Sequence, residues 1–281
     1  MEDIPLYIGK RKNILVISGG GIKGLSALGV LTRLKELGII DKPEIYCGTS
    51  VGSVISILLL IGYSAEDIYD MLLEIDFSTL MINNIENILE DVHIGLNLID
   101  PIVYIVAHLM KKKDISKKIT FIELFNKFNS KLIITGTCIN DTSLHYFSHE
   151  TYPNMKVIDA IKISISIPLL FKPHFYNNKV WIDGGCMNNY PIDIFNDKLN
   201  DVIGIYLDEE YNNYDVFDDV QIYIQQVMKS ILKGLTYYKI EAYKDYTIHI
   251  KCSSINTWDI QRSDKINMYE YGYNLTKSKF G

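Results

Sequence analysis

The stretch EIYCGTSVGSVISILLLIGY, residues 44–63, sets a serine between two glycines, after a short strand-like run and before a helix apolar on nearly every side. A strand that feeds a buried helix through a tight turn is the building unit of a parallel sheet with helical crossovers. The turn, GTSVG, matches GxSxG. In that pattern the flanking residues are small so that the serine can occupy a sharp bend with its hydroxyl lifted out of the sheet. Such a short pattern also arises by chance, but here it falls at the strand–helix junction that the motif requires.

The preceding residues repeat the unit. NILVIS (13–18) reads as a buried strand, and IKGLSALGVLTRLKELG (22–38) carries leucines at mostly helical spacing, with Gly38 suited to its C-terminal cap. Between them lies GGGIKG, whose backbone N–H groups point toward whatever sits at the following helix N-terminus. This run fits a dinucleotide fingerprint, but the second strand ends in Gly48-Thr49-Ser50 where a Rossmann unit wants an acidic residue. A phosphate-binding GK[ST] loop also fails, because Leu25 follows Gly24.

Downstream, Ser64 is an N-cap for SAEDIYDMLLEI, and residues 78–130 are less regular. Asp100 followed by Pro101 predicts an N-cap and a proline at the first helical position of IVYIVAHLMKKK. Strands are expected at 131–139, 144–148, 179–183, 201–207 and 246–252, with a helix over 217–240. The reading is one α/β domain, a mostly parallel sheet flanked by helices. WIDGG (181–185) puts Asp183 at a strand end before two glycines, which is either an ordinary Asp-Gly turn or a carboxylate presented at the sheet edge where catalytic groups gather.

Composition excludes several classes. The chain has 281 residues, 48% of them hydrophobic, 22% charged, with a net charge of −6, which disfavours nucleic-acid binding. Four scattered cysteines without CxxC spacing fit a reducing, cytoplasmic setting. The first residues lack a signal-peptide core, and VISILLLIGY, the longest apolar run, is half the ~20 residues needed to span a bilayer.

Glycine-rich turn, elbow serine and strand-end aspartate together supply oxyanion donors, a nucleophile and a base, the inventory for acyl transfer. The sequence here resembles the patatin-like phospholipases. GGGIKG, GTSVG and DGG occur in that family's order, and SISIPLLFKPHFYNNKVWIDGGCMNNYPI (164–192) follows its Ser-x-x-x-Pro-x-x-Phe-x-Pro, strand, Asp-Gly-Gly pattern. The resemblance covers about 14–208, expected to form a patatin-like catalytic core, with 209–281 an extension packed on the same domain.

What the resemblance implies is a Ser–Asp dyad rather than a Ser–His–Asp triad. Ser50 is the expected nucleophile, Asp183 the base, and Gly19, Gly20 and Gly21 the oxyanion hole, with Lys23, Gly24, Gly48, Gly52, Gly184 and Gly185 completing the motifs. Of the six histidines (His93, His108, His145, His149, His174 and His249), only His249 falls late enough for a triad, and its alternating strand context reads as structural. The implied activity is phospholipase A-type hydrolysis of glycerophospholipid acyl esters without metal or other cofactor. A carboxylesterase or thioesterase acting on soluble substrates, or a catalytically silent lipid-binding protein, remain the alternatives. Acyl lipid is the expected partner. Peripheral membrane contact through IDPIVYIVAHLMKKK and an activating protein are further expectations, and DEEYNNYDVFDD (208–219) reads as an acidic solvated loop.

Overall fold

The computed structural model describes residues 10–77, 99–168, 170–210, 220–253 and 260–281. The 44–63 stretch forms β2 (Ile45–Gly48) and α2 (Val51–Leu60), and the unit before it forms β1 (Ile14–Ile17) and α1 (Gly24–Glu36). β1 pairs in parallel with β2, Ile17 opposite Gly48, so the glycine-rich turn and the GxSxG turn leave the sheet at the same level. β1 is buried on both faces. Leu15 and Ile17 enter the larger core beneath α1 and α2, and Ile14 and Val16 enter a second core with Tyr190, Ile192 and Phe195. A strand with two dry faces has no polar alternation, which is why NILVIS reads as a continuous apolar run.

β3 (Lys131–Cys138), β4 (Ser143–Phe147), β5 (His174–Tyr176), β6 (Lys179–Asp183), β7 (Val202–Glu210) and β8 (Thr247–Ser253) complete an eight-stranded sheet. Its order is β5-β6-β3-β2-β1-β7-β8, with β4 also on β3. The β3-β2-β1-β7-β8 portion is parallel, whereas β4, β5 and β6 make antiparallel pairs. Asp183 therefore ends an antiparallel strand, not a parallel one as its sequence placement implied. β3 overshoots β2 (Ile134 lies opposite Gly48), and β6 pairs with the overshooting residues, Asp183 opposite Gly136. The aspartate reaches the C-terminal edge of the parallel strands by running back into it.

Most elements fall where the sequence predicts. Ser64 caps α3 (Ala65–Glu74), with Asp67 completing a capping box. α4 spans Asp100–Lys112 with Ile99, not Asp100, as its N-cap, so the aspartate is already in the first turn. The apolar face of α4 is turned inward through Val103, Val106, Leu109 and Met110. At its end Lys113 bonds the Gly62 carbonyl at 3.0 Å and lies over the Tyr63 ring. That face of the segment is thus a wall of the core, while Tyr104 on the other side is 73% exposed. Among the described residues no helix is long and apolar enough to cross a membrane.

Five helices and strands were not anticipated: α5 (Phe121–Phe128), α6 (Val157–Ser164), β5, α7 (Gly185–Asn188) and α9 (Arg262–Phe280). β7 also runs on through Glu210, since β8 pairs with its acidic end, so only 211–219 of the expected solvated loop falls outside the described residues. α8 (Val220–Ala242) lies near its expected range. α9 crosses α1 closely: a Cβ on Gly29 would lie 2.0 Å from the Tyr269 carbonyl oxygen, and one on Gly272 1.9 Å from that of Ser26. The tail after residue 208 thus adds a strand to the same sheet and a helix to the same core.

Candidate active site

Ser50 lies two residues beyond the end of β2, after Thr49, and is the residue from which α2 starts, with φ 53 and ψ −125. A non-glycine residue held there costs about 1–3 kcal/mol, so the surroundings must over-determine it. They do so from every side. The Ser50 N–H donates to Ser164 Oγ at 2.9 Å, and the Ser50 carbonyl accepts the Ser53 hydroxyl at 2.6 Å and the Ser53 N–H at 2.9 Å. The flanking glycines permit the bend: a Cβ on Gly52 would lie 2.3 Å from the Ile17 carbonyl oxygen, and one on Gly48 2.3 Å from the Gly52 backbone.

Asp183 is brought to this serine. Its carboxylate is in hydrogen-bonding contact with the Ser50 hydroxyl and accepts the Gly185 N–H at 2.7 Å. Its own N–H donates to the Ser166 carbonyl at 2.9 Å. The side chain is only 4% exposed. Burial raises its pKa to about 7, while the Gly185 and Ser50 bonds favour the charged form and limit the rise. Gly184, the middle residue of the motif, lies against Thr135 on β3.

The glycine-rich loop closes the third side. Gly21 has φ 55, and Gly21–Lys23 form a single 3-10 turn that runs into α1. Gly24 abuts Val51, the first residue of α2, so loop and elbow are packed on one another. A Cβ on Gly19 would lie 3.1 Å from Ser50 Cβ. The Gly19 N–H donates to the Asn189 carbonyl at 3.2 Å, so of the three expected oxyanion donors it is the one the protein already engages.

Several positioning residues escaped the sequence reading. Ser164, the first serine of SISIPLLFKP, holds the elbow amide. Asn189 clamps Gly19 through both its backbone and its Nδ2, which donates to the Gly19 carbonyl at 3.3 Å. Thr135 donates to Thr49 at 2.8 Å, and Thr49 donates to the Asn188 carbonyl at 3.3 Å. Asn188 in turn bonds Tyr146, Asp193 and Lys239. Their signal was present in SIS and in NNYP, but each acts through an amide or carbonyl that sequence does not display.

Four other candidate side chains are either held elsewhere or kept protonated. Burial, reinforced by the charge of Asp183, pushes the Cys186 thiol up to about 12, so it is protonated at neutral pH and no rival nucleophile. His249 Nε2 pairs with Asp208 at 2.9 Å on adjoining strands. His145 bonds Ser143 at 2.7 Å and Tyr152 at 2.6 Å, and His149 stacks on Phe125. His93 lies outside the described residues.

The chain is similar to known proteins in sequence and in fold. A probable lipid hydrolase, 463L of Invertebrate iridescent virus 6, is 38% identical over 186 residues, covering 64% of this chain and 62% of that protein. Lysophospholipase NTE1 of Meyerozyma guilliermondii is 28% identical over 178 residues, 63% of this chain but 11% of that much longer one. The matched region thus spans less than two thirds of either relative. Among solved structures, VipD from Legionella pneumophila superposes with a TM-score of 0.68 over 96% of this chain and 66% of VipD, at 17% identity. The type III effector ExoU gives 0.54 over 95% of this chain and 52% of ExoU, at 15% identity. These two show the shared fold. The description of patatin-like phospholipases matches residues 15–196, which holds the loop, the elbow and the aspartate turn, and the chain belongs to that family.

Proposed function

We propose that this protein is a lipid acyl hydrolase of the phospholipase A type, acting through Ser50 and Asp183 without a metal. The observation that carries the reading is the strained Ser50 in contact with a buried carboxylate whose pKa, about 7, suits a base working near neutrality. Ser50 Oγ attacks the ester carbonyl carbon as its proton passes to Asp183. The amides of Gly20 and Gly21, at the positive end of α1, receive the oxyanion, with Gly19 fixing the loop. Collapse breaks the ester C–O bond, and the departing alcohol, a lysolipid, takes the proton from Asp183. Water, deprotonated by the same carboxylate, then attacks the acyl-enzyme, releasing fatty acid and restoring Ser50.

Membership in a family of lipid hydrolases supports an acyl-lipid substrate. The test is fatty-acid release from mixed phospholipid vesicles in EDTA, by the parent and by Ser50→Ala. Release by the parent alone is expected. Release only of short soluble esters would favour the carboxylesterase alternative, and loss of vesicle hydrolysis in EDTA would overturn metal independence.

A further inference from the structure

α7 is a single turn of helix, too short to hold its own shape, yet the residues at its end touch all three motifs of the candidate site. The Asn188 N–H donates to the Gly184 carbonyl at 2.9 Å, in the turn that follows Asp183. The Asn188 carbonyl accepts the hydroxyl of Thr49, the residue before Ser50, at 3.3 Å. Asn189 holds Gly19 of the glycine-rich loop through its carbonyl and its side-chain amide. This junction is fixed by the buried side chain of Asn188, whose amide is engaged at both ends. Its Nδ2 donates to the Tyr146 hydroxyl at 3.0 Å and to Asp193 Oδ1 at 3.1 Å, and its Oδ1 accepts Lys239 Nζ at 2.8 Å.

We infer that Lys239, on α8 and beyond the residues 15–196 that match the family description, is a positioning residue for the Ser50–Asp183 pair. The inference rests on the proposed lipid hydrolase reading. Lys239 Nζ bonds Asp193 Oδ1 at 2.7 Å as well as Asn188 Oδ1, so it joins the amide to a carboxylate through charge-assisted bonds. Its side chain is 19% exposed, and water competes little for those bonds. α8 gives the lysine a fixed base. Thr236, about one turn earlier, is buried and accepts the Tyr206 hydroxyl of β7 at 3.3 Å, and Ile240 packs against the second core. Without the ammonium, Asn188 Oδ1 loses its donor and Asp193 the opposite charge beside it, so the amide is free to turn away from Tyr146. That movement passes through the Asn188 backbone to Thr49 and on to the strained Ser50. A displacement of about 1 Å at a reacting atom can cost about 100-fold in rate.

The test compares Lys239→Met and Lys239→Arg with the parent, all assayed well below their melting temperatures so that every variant is folded. Two rates are read: fatty-acid release from mixed phospholipid vesicles, and labelling of Ser50 by a fluorophosphonate probe. Lys239→Met should lower kcat about tenfold or more with KM within about twofold, and slow labelling to a similar extent. Lys239→Arg, which keeps a charged donor, should recover most of both rates. If Lys239→Met melts too low to assay, Lys239→Gln takes its place and is read the same way. Lys244→Met, which removes an exposed ion pair with Glu241, should behave like the parent. Parent rates in Lys239→Met, or a loss confined to KM, would overturn the assignment, since the lysine would then do no more than hold α8 or affect substrate binding. So would Lys239→Arg rates as low as those of Lys239→Met. Labelling of the parent without fatty-acid release would instead overturn the lipid hydrolase reading, and the labelling rates alone would decide the role of Lys239. A parent that neither labels nor releases fatty acid would overturn both.

Discussion

Ser164 Oγ accepts the backbone N–H of Ser50 at 2.9 Å, and two residues on the Ser166 carbonyl accepts the N–H of Asp183 at 2.9 Å. One short segment at the end of α6 therefore positions both the strained serine and the buried carboxylate. Ser164 is fully buried, so nothing else in its shell replaces a lost acceptor. Ser164→Ala should destabilise the protein by about 1–3 kcal/mol, the cost of orphaning a buried donor. Denaturant unfolding checks the stability, and ester turnover should fall with it because Ser50 is no longer held at its bend. Ser164→Thr, which keeps the hydroxyl, should recover part of both.

Asp183 makes activity and stability run oppositely with pH. As a base it must be ionised, so kcat/KM should rise through about pH 7 and level above it. Its folded pKa is raised above the ordinary carboxylate value, so the folded state binds more protons than the unfolded chain between about pH 4 and 7. Stability contributed at this site is therefore greatest at low pH and is lost as pH rises through that window. Asp183→Asn removes the cost of burying the charge. Its stability relative to the parent should grow from pH 4 to pH 7, by up to about 4 kcal/mol, while hydrolysis is abolished at every pH. Paired denaturation curves across that range test the sign.

The elbow glycines answer to steric limits rather than to flexibility. Gly52→Ala would drive a methyl group into the Ile17 carbonyl of the neighbouring strand, which is fixed in the sheet. We expect loss of hydrolysis together with a destabilisation of about 3 kcal/mol or more, read by thermal unfolding. Gly234→Ala on α8, where a Cβ has no neighbour within 4 Å, should leave hydrolysis intact and raise stability slightly.

His249 separates the dyad from a triad. It is engaged by Asp208 on the next strand, and its ring meets Tyr206. His249→Gln should keep fatty-acid release within about twofold of the parent, since general-base removal would instead cost roughly 100-fold or more. Steady-state kinetics on one substrate suffice.

The legible parts of the fold are those where one physical demand leaves one pattern. β1 and β2 are dry on both faces and joined to helices by turns that tolerate only small residues, so 13–63 reads clearly. α9 was not legible because its buried residues, Lys265, Met268, Gly272 and Thr276, form a stripe chosen for size rather than hydropathy, with Gly272 packed on Ser26 of α1. α8 was legible as a helix, but periodicity cannot say which side faces the core, and here Ile231, Leu235 and Tyr238 face out while Ile240 packs inward. At the candidate site, Ser50 and Asp183 were singled out through their motifs, and the structure brings them together. Ser164, Asn189 and the Thr135–Thr49–Asn188 chain were not, because they act on backbone groups brought together only by folding.

The central claim is that Ser50 is a nucleophile activated by Asp183. The most direct measurement is reaction with a fluorophosphonate probe, followed by peptide mass spectrometry to locate the adduct. The account predicts one adduct, on Ser50, absent from Ser50→Ala and formed at least about 100-fold more slowly in Asp183→Asn. An adduct on another residue, or labelling of Asp183→Asn at the parent rate, would contradict it.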